Sequence, residues 1–149
     1  MANPLQDVTI GELMTADVVA IDQGTKVDMA LDLMREKNIR RLPVLGRLDK
    51  VVGILTLDEA RAAMPEGVSH YGASAEEERL IPEVRSVMNS QVHTVSPDQP
   101  ASRAAQFMLQ FKVGALPVVE DDKLVGIITE SDIFRFLTRD LAPLQEDWA

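Results

Sequence analysis

Cysteine is absent from the 149-residue chain. That excludes disulfides, thiolate nucleophiles and cysteine-ligated metals, and it leaves the redox compartment unread. Aromatic residues make up 4% of the chain, as four phenylalanines, Tyr71 and Trp148. They are too few and too scattered for the interleaved basic and aromatic platform that single-stranded nucleic acid requires. The two histidines, His70 and His93, lie far apart without metal-ligand spacing, so no metal site is expected. Positive charge is in deficit: the formal net charge is −9. This argues against nucleic acid and anionic membrane as partners, because both need many Lys/Arg contacts, but it leaves room for one small anion in a local pocket. No run approaches the ~18 apolar residues of a membrane span. The opening, Met1 to Asp7, has no basic region followed by an apolar core, so the expectation is a cytoplasmic chain without a secretory signal. Phosphate-loop, G-x-G-x-x-G and G-x-S-x-G patterns are missing. The runs Glu76-Glu77-Glu78 and Glu120-Asp121-Asp122 fall in segments that read as linker and turn, hence as solvated charge. No catalytic constellation emerges, and an enzyme is not expected.

What the chain does contain is one phrase used twice. Leu42-Pro43-Val44, a polar turn and Lys50-Val51-Val52-Gly53-Ile54-Leu55-Thr56 are answered by Leu116-Pro117-Val118-Val119, a turn through Glu120-Asp121-Asp122, and Lys123-Leu124-Val125-Gly126-Ile127-Ile128-Thr129. Two short apolar runs joined by a tight polar loop predict a β-hairpin. An offset of 74 relates Pro43 to Pro117, Met14 to Met88, Val18 to Val92, Ala30 to Ala104 and Met34 to Met108. Beyond the hairpin loop the offset falls to 73, relating Gly53 to Gly126 and Thr56 to Thr129. A one-residue slip confined to a surface turn is what an internal structural repeat tolerates.

Each repeat reads as β-α-β-β-α. A helical turn (Ile10 to Met14; Val84 to Met88) leads to an extended segment (Val18 to Ile21; Val92 to Val95) and a turn marked by Gly24 or by Ser96-Pro97. Val27, Ala30, Leu31 and Met34, and then Ala101, Ala104, Ala105, Met108 and Phe111, recur at helical spacing. After each hairpin a second helix is expected, Leu57 to Met64 and Ser131 to Leu137, with Thr129 and Ser131 as candidate N-caps. The expected organisation is repeat 1 over 8–64, a polar linker over 65–82 with a short helix near Ala75 to Leu80, repeat 2 over 83–140, and a tail over 141–149 that is loose unless Trp148 docks. The methionines read as core filler.

Two places carry binding chemistry. Gly126 to Asp132 runs from a strand end into a helix start, where unpaired backbone N–H groups favour a phosphate. The Thr129 hydroxyl could donate to that phosphate, and the Asp132 carboxylate could accept from a ribose diol. Both residues are equally readable as ordinary capping residues. Arg40-Arg41 is the second place: adjacent residues entering a strand point to opposite faces, so at most one arginine is expected at a shared cleft, where a guanidinium suits phosphate; for either one alone the favoured reading is a surface arginine paired with a carboxylate.

These residues together resemble a tandem pair of CBS domains. The resemblance rests on Ile39 to Val44 with Val52 to Thr56, on Val113 to Val118 with Val125 to Asp132, and on the openings Leu13-Met14-Thr15 and Val87-Met88-Asn89. The order of the parts is similar to small stand-alone bacterial CBS-pair proteins, including the acetoin-utilisation type. The resemblance implies an α/β (α+β) fold of two repeats packed sheet to sheet around a pseudo-twofold axis, often assembled as a homodimer. It implies no catalytic cofactor. The implied ligand is an adenosine nucleotide, AMP, ADP or ATP, with NAD, S-adenosylmethionine or cyclic di-AMP in some members, and the implied role is regulatory sensing on behalf of a regulated protein. On this sequence the ribose-binding acid falls on Asp132 and the phosphate-contacting hydroxyl on Thr129, next to Ile128. Base and ribose contacts fall on Val92, His93, Val113 and Gly114, and repeat 1 supplies Val18, Val19, Ile39, Arg40, Arg41 and Thr56.

The chain departs from the pattern once. Repeat 1 reads Thr56-Leu57-Asp58-Glu59, with Glu59 at the ribose position and Asp58 about 100° away around a helix. The extra methylene is expected to crowd a diol, so the Asp132 site is expected to be occupied and the Glu59 site weak or empty. The alternative is a structural CBS pair that docks on a partner protein without a nucleotide.

Overall fold

The computed structural model describes residues 2–68 and 74–145. His70, Tyr71 and Trp148 therefore lie outside the described residues. In chain order the elements are α1 (Ile10–Leu13), β1 (Ile21–Asp22), α2 (Val27–Lys37), β2 (Arg41–Leu45), β3 (Val51–Thr56), α3 (Leu57–Ala63), α4 (Ala75–Glu78), α5 (Ala101–Phe111), β4 (Ala115–Glu120), β5 (Lys123–Thr129) and α6 (Glu130–Leu137). Short 3-10 turns at Pro4–Gln6, Arg47–Asp49 and Val84–Ser86 complete the pattern.

Both expected hairpins form. β2 pairs antiparallel with β3 and places Val44 opposite Gly53; β4 pairs with β5 and places Val118 opposite Gly126. Each ladder shifts register one residue later, after Val44 and after Val118, so even the irregularity is repeated. The second hairpin turns on Asp121 and Asp122, both at positive φ (51° and 63°). Two consecutive left-handed residues match the right-handed twist of the flanking strands, and aspartate tolerates that conformation. The long helices also stop alike: Asn38 and Lys112 adopt left-handed caps after α2 and α5.

The first strand of each repeat is shorter than its sequence suggests. Only Ile21–Asp22 pairs, parallel to β2, and in repeat 2 a single bridge joins Val95 to Val118. The reason is tertiary. The chain just before each strand is held by the other repeat: Thr15 exchanges backbone hydrogen bonds with Ile127 (2.9 and 3.0 Å), and Asn89 exchanges them with Ile54 (2.9 and 3.0 Å). Val18-Val19 and Val92-His93 are left between these anchors without ladder partners.

That exchange organises the core. Ala101 donates to Val8 (2.8 Å) and Val27 to Pro82 (3.0 Å), while Ile10 donates to Gln99 (2.8 Å) and Val84 to Thr25 (2.8 Å). Each bond has a counterpart under the 74-residue offset, which is the pseudo-twofold relation written in hydrogen bonds. Accordingly Leu5, Val8 and Ile10 are buried with Val95, Ala104, Leu116, Ile128 and Ile133. Ile81 and Val84 are buried with Val27, Met34, Leu42 and Leu55. Gly53 and Gly126 exist for this crossing. A Cβ on Gly126 would lie 2.5 Å from the Met14 sulfur and 2.9 Å from the Thr15 carbonyl; on Gly53 it would lie 2.6 Å from the Met88 sulfur and 2.9 Å from the Asn89 carbonyl. Met34 and Met108 are core as expected, whereas Met29 is 57% exposed and does not fill it. Phe111, expected on the buried face of α5, is also exposed and lies flat on His93 at 4.0 Å between ring centroids.

Candidate functional site

Two cavities open between the repeats, and the pseudo-twofold relates them. One, of about 280 Å³, is lined by Thr15, Asp17, Val18, Val19, Ile39, Arg40, Arg41, Ile127 and Thr129. The other, of about 220 Å³, is lined by Ile54, Thr56, Glu59, Asn89, Gln91, Val92, His93, Lys112, Val113, Gly114, Ala115 and Leu116, with Arg41 reaching in. The unpaired Val18-Val19 and Val92-His93 segments form one wall of each, so the strand residues that fail to pair are those that face ligand-sized space. In each cavity the wall opposite is a strand end running into a helix.

The grouping of candidate residues therefore differs from a repeat-by-repeat assignment. Thr129 shares a cavity with Val18, Ile39, Arg40 and Arg41 of repeat 1. Thr56 shares one with Val92, His93, Val113 and Gly114 of repeat 2. The exchange of opening segments is the cause, since it carries each repeat's cavity wall to the other repeat's hydroxyl. Ile128 lies in the core rather than on a cavity, because it alternates with Thr129 along β5 and points to the opposite face. The expectation that only one of the two arginines faces a cleft is also corrected: Arg40 and Arg41 both line the larger cavity. Strand alternation does not bind Arg40, which precedes β2 and whose carbonyl accepts from Leu57 (2.8 Å) at the start of α3. Thr15, Asp17, Asn89 and Gln91 are cavity residues that sequence reasoning passed over. They are related by the same offset of 74, and extending the Val18/Val92 match a few positions upstream would have reached them.

The helix starts are built identically. Thr129 caps α6 through a capping box: its backbone N–H donates to Asp132 Oδ2 (2.8 Å), its hydroxyl donates to the same oxygen (3.1 Å), and its Oγ1 accepts from the Asp132 N–H (3.4 Å). Thr56 caps α3 the same way, with Glu59 Oε1 accepting from the Thr56 N–H (3.2 Å) and hydroxyl (2.7 Å). Thr129, and not Ser131, is thus the N-cap of α6. Asp132 is 8% exposed, is not on the cavity wall, and gives its second oxygen to the exposed Arg135 (3.1 Å). Glu59 does line its cavity while its Oε1 stays in the cap. Arg40 and Arg41 make no ion pair among the described residues, which leaves two guanidinium groups beside the Thr129 hydroxyl with Asp17 as the acidic wall residue. No group of three acidic or histidine side chains among the described residues is placed to hold a metal, and no helix there is long and apolar enough to cross a membrane.

Comparison with known proteins decides the family. The family model for the CBS domain matches twice, at residues 10–66 and 84–139. The chain belongs to the CBS domain family. It is 30% identical to a CBS domain-containing protein of Dictyostelium discoideum over 142 residues, covering 92% of this chain and 96% of that one. Among solved structures it resembles the CBS protein CBSX2 in complex with AMP (TM-score 0.71, 26% identity, 91% of this chain and 99% of that one). It also resembles an acetoin-utilisation-type protein (AcuB) from Vibrio cholerae (TM-score 0.70, 26% identity, 92% and 98% coverage). The chain spans only about a quarter of the homoserine O-acetyltransferases it also matches, 25% of the one from Methanohalobium evestigatum. The CBS pair is a regulatory module, and the match to these longer enzymes is confined to it.

Proposed function

We propose that this CBS pair senses an adenosine nucleotide, AMP, ADP or ATP, in the clefts between its repeats, and passes occupancy to a regulated protein. The observation that carries this reading is the convergence of Arg40, Arg41 and Thr129 on one cavity of about 280 Å³. Two guanidinium groups without carboxylate partners among the described residues, beside a hydroxyl at a helix start, suit a phosphate in a protein that is otherwise acidic. Val18, Val19 and Ile39 supply an apolar wall for a base. CBSX2, 26% identical, was solved with AMP, which supports the ligand class. Asp132 reaches a ribose diol by exchanging its bond to Arg135; an ion pair with so exposed a partner is worth only ~0–1 kcal/mol, which two diol hydrogen bonds offset. In the second cavity Glu59 places a carboxylate on the wall, so the Thr129 cavity is the main site. Isothermal calorimetry with AMP, ADP and ATP tests this; absence of heat with all three refutes it. Mass spectrometry of ligand carried through purification names the nucleotide.

One observation favours a second reading, a CBS pair that docks on a protein without nucleotide: both oxygens of Asp132 are already satisfied within the chain. A thermal-shift screen distinguishes the two, because bound ligand raises the melting temperature with concentration and a docking module gives a flat response. The same reading of the family extends to a cytoplasmic homodimer. Leu109, Phe111, Phe134 and Leu137 are exposed on the neighbouring helices α5 and α6 and form the apolar surface a second copy would cover.

A further inference from the structure

Arg41 lines both cavities. Under the pseudo-twofold relation the counterparts of Arg40 and Arg41 are Gly114 and Ala115, so the smaller cavity has no arginine of its own. Arg41 reaches across to fill the vacancy. A Cβ built on Gly114 would meet Arg41 Nη2 at 2.7 Å, so the guanidinium occupies the volume that any side chain at position 114 would take. Gly114 also has Glu130 beside it, with the Glu130 carboxyl carbon 3.6 Å from that Cβ, yet Arg41 makes no ion pair within the described residues. The group is therefore positioned between two sites and bonded to neither.

We propose that Arg41 is a single anion contact shared by the two cavities and that it couples them negatively. This rests on the nucleotide reading above. A phosphate in the Thr129 cavity draws the guanidinium toward Arg40 and away from Gly114. The smaller cavity then loses its guanidinium and is left with Lys112 against the Glu59 carboxylate, and its affinity for a second anion falls. The converse holds by linkage, since a coupling free energy acts equally in both directions. Arginine suits such a role because its long side chain moves at little cost while its charge is permanent.

The test is a residue-resolved NMR titration of the full chain with AMP, and separately with adenosine, which lacks the phosphate. Val18 and Thr129 report on the larger cavity, Thr56 and His93 on the smaller one, and the Gly114 amide on the guanidinium. With AMP, Val18, Thr129 and Gly114 shift together first, and Thr56 and His93 follow at a concentration higher by on the order of tenfold. With adenosine, Gly114 does not move with the Val18 and Thr129 set and responds only when Thr56 and His93 do. In Arg41→Ala Gly114 no longer moves with the Val18 and Thr129 set, and the two sets titrate without influence on each other. In Gly114→Ala the added methyl meets only the far end of a flexible side chain, so the chain folds and the guanidinium is displaced toward Thr129; AMP binding there tightens several-fold and binding beside His93 weakens. If AMP shifts the Thr129 set while Gly114 stays still, or if Arg41→Ala leaves the ratio of the two affinities unchanged, the coupling is wrong and the nucleotide reading stands. If AMP moves no reporter in any variant, both fall.

Discussion

Thr129 and Asp132 form the cap of α6, and the proposed function asks both to meet ligand as well. The sequence left capping and ligand binding as alternatives, and the structure shows the capping role directly, at Thr56 and Glu59 as well. A capping box satisfies the helix-start donors and leaves the Thr129 hydroxyl on the cavity wall with Asp132 behind it, so ligand binding by Asp132 requires it to give up its bond to Arg135. The expectation that follows is a separation of readouts. Asp132→Ala removes most AMP binding in calorimetry and also lowers stability by about 1 kcal/mol through the lost cap, measured by urea unfolding. Glu59→Ala loses a similar stability with little change in AMP affinity. Equal losses of binding in the two variants would end the claim that the sites differ. The carboxylate position was legible in the sequence because a Thr-x-x-acid spacing is local; that Asp132 bonds Arg135 required the folded helix.

Among the elements, the hairpins were the most legible, because period-two apolar runs and a polar turn are properties of neighbouring residues. The first strand of each repeat was the least legible. Val18 to Ile21 and Val92 to Val95 have strand-like composition, yet their partners are fixed by anchors on the opposite repeat. Gly53 and Gly126 mark that crossing, and their role is testable. Gly126→Ala pushes a methyl into the Met14 sulfur and the Thr15 carbonyl, and because a backbone oxygen cannot swing aside the cost is about 1–3 kcal/mol. Gly53→Ala behaves alike against Met88 and Asn89. Equilibrium urea unfolding checks both, and a neutral result would mean that the opening segments adjust freely. Leu116→Ala, at a buried hairpin position, costs about 2–5 kcal/mol in the same assay.

At the scale of the whole molecule the repeats are not independent halves. Leu5, Val8 and Ile10 complete the core of repeat 2, and Ile81 and Val84 complete that of repeat 1. A chain cut within the linker after residue 73 should therefore give two fragments, 1–73 and 74–149, that are unfolded separately and regain helical circular dichroism when mixed. Folding of either fragment alone would contradict the exchanged core. The exposed apolar residues of α5 and α6 lead to a further expectation: light scattering finds a dimer, and Leu109→Lys with Phe134→Lys converts it to a monomer without loss of AMP binding, since neither residue lines either of the two cavities between the repeats. A wild-type monomer would remove α5 and α6 as the dimer surface.

By itself the sequence determined the duplication, the β-α-β-β-α order, the hairpins and the residue types available for a phosphate. All of these follow from periodicity, turn chemistry and spacing along the chain. Only the tertiary structure decided which of those residues share a cavity. The exchange of opening segments pairs Thr15 with Ile127 and Asn89 with Ile54, contacts between positions far apart that no local pattern encodes. It sets Thr129 against Val18 and Arg40, sets Thr56 against Val92 and His93, and leaves Arg41 between them, because a long side chain fills whatever space a distant glycine leaves open.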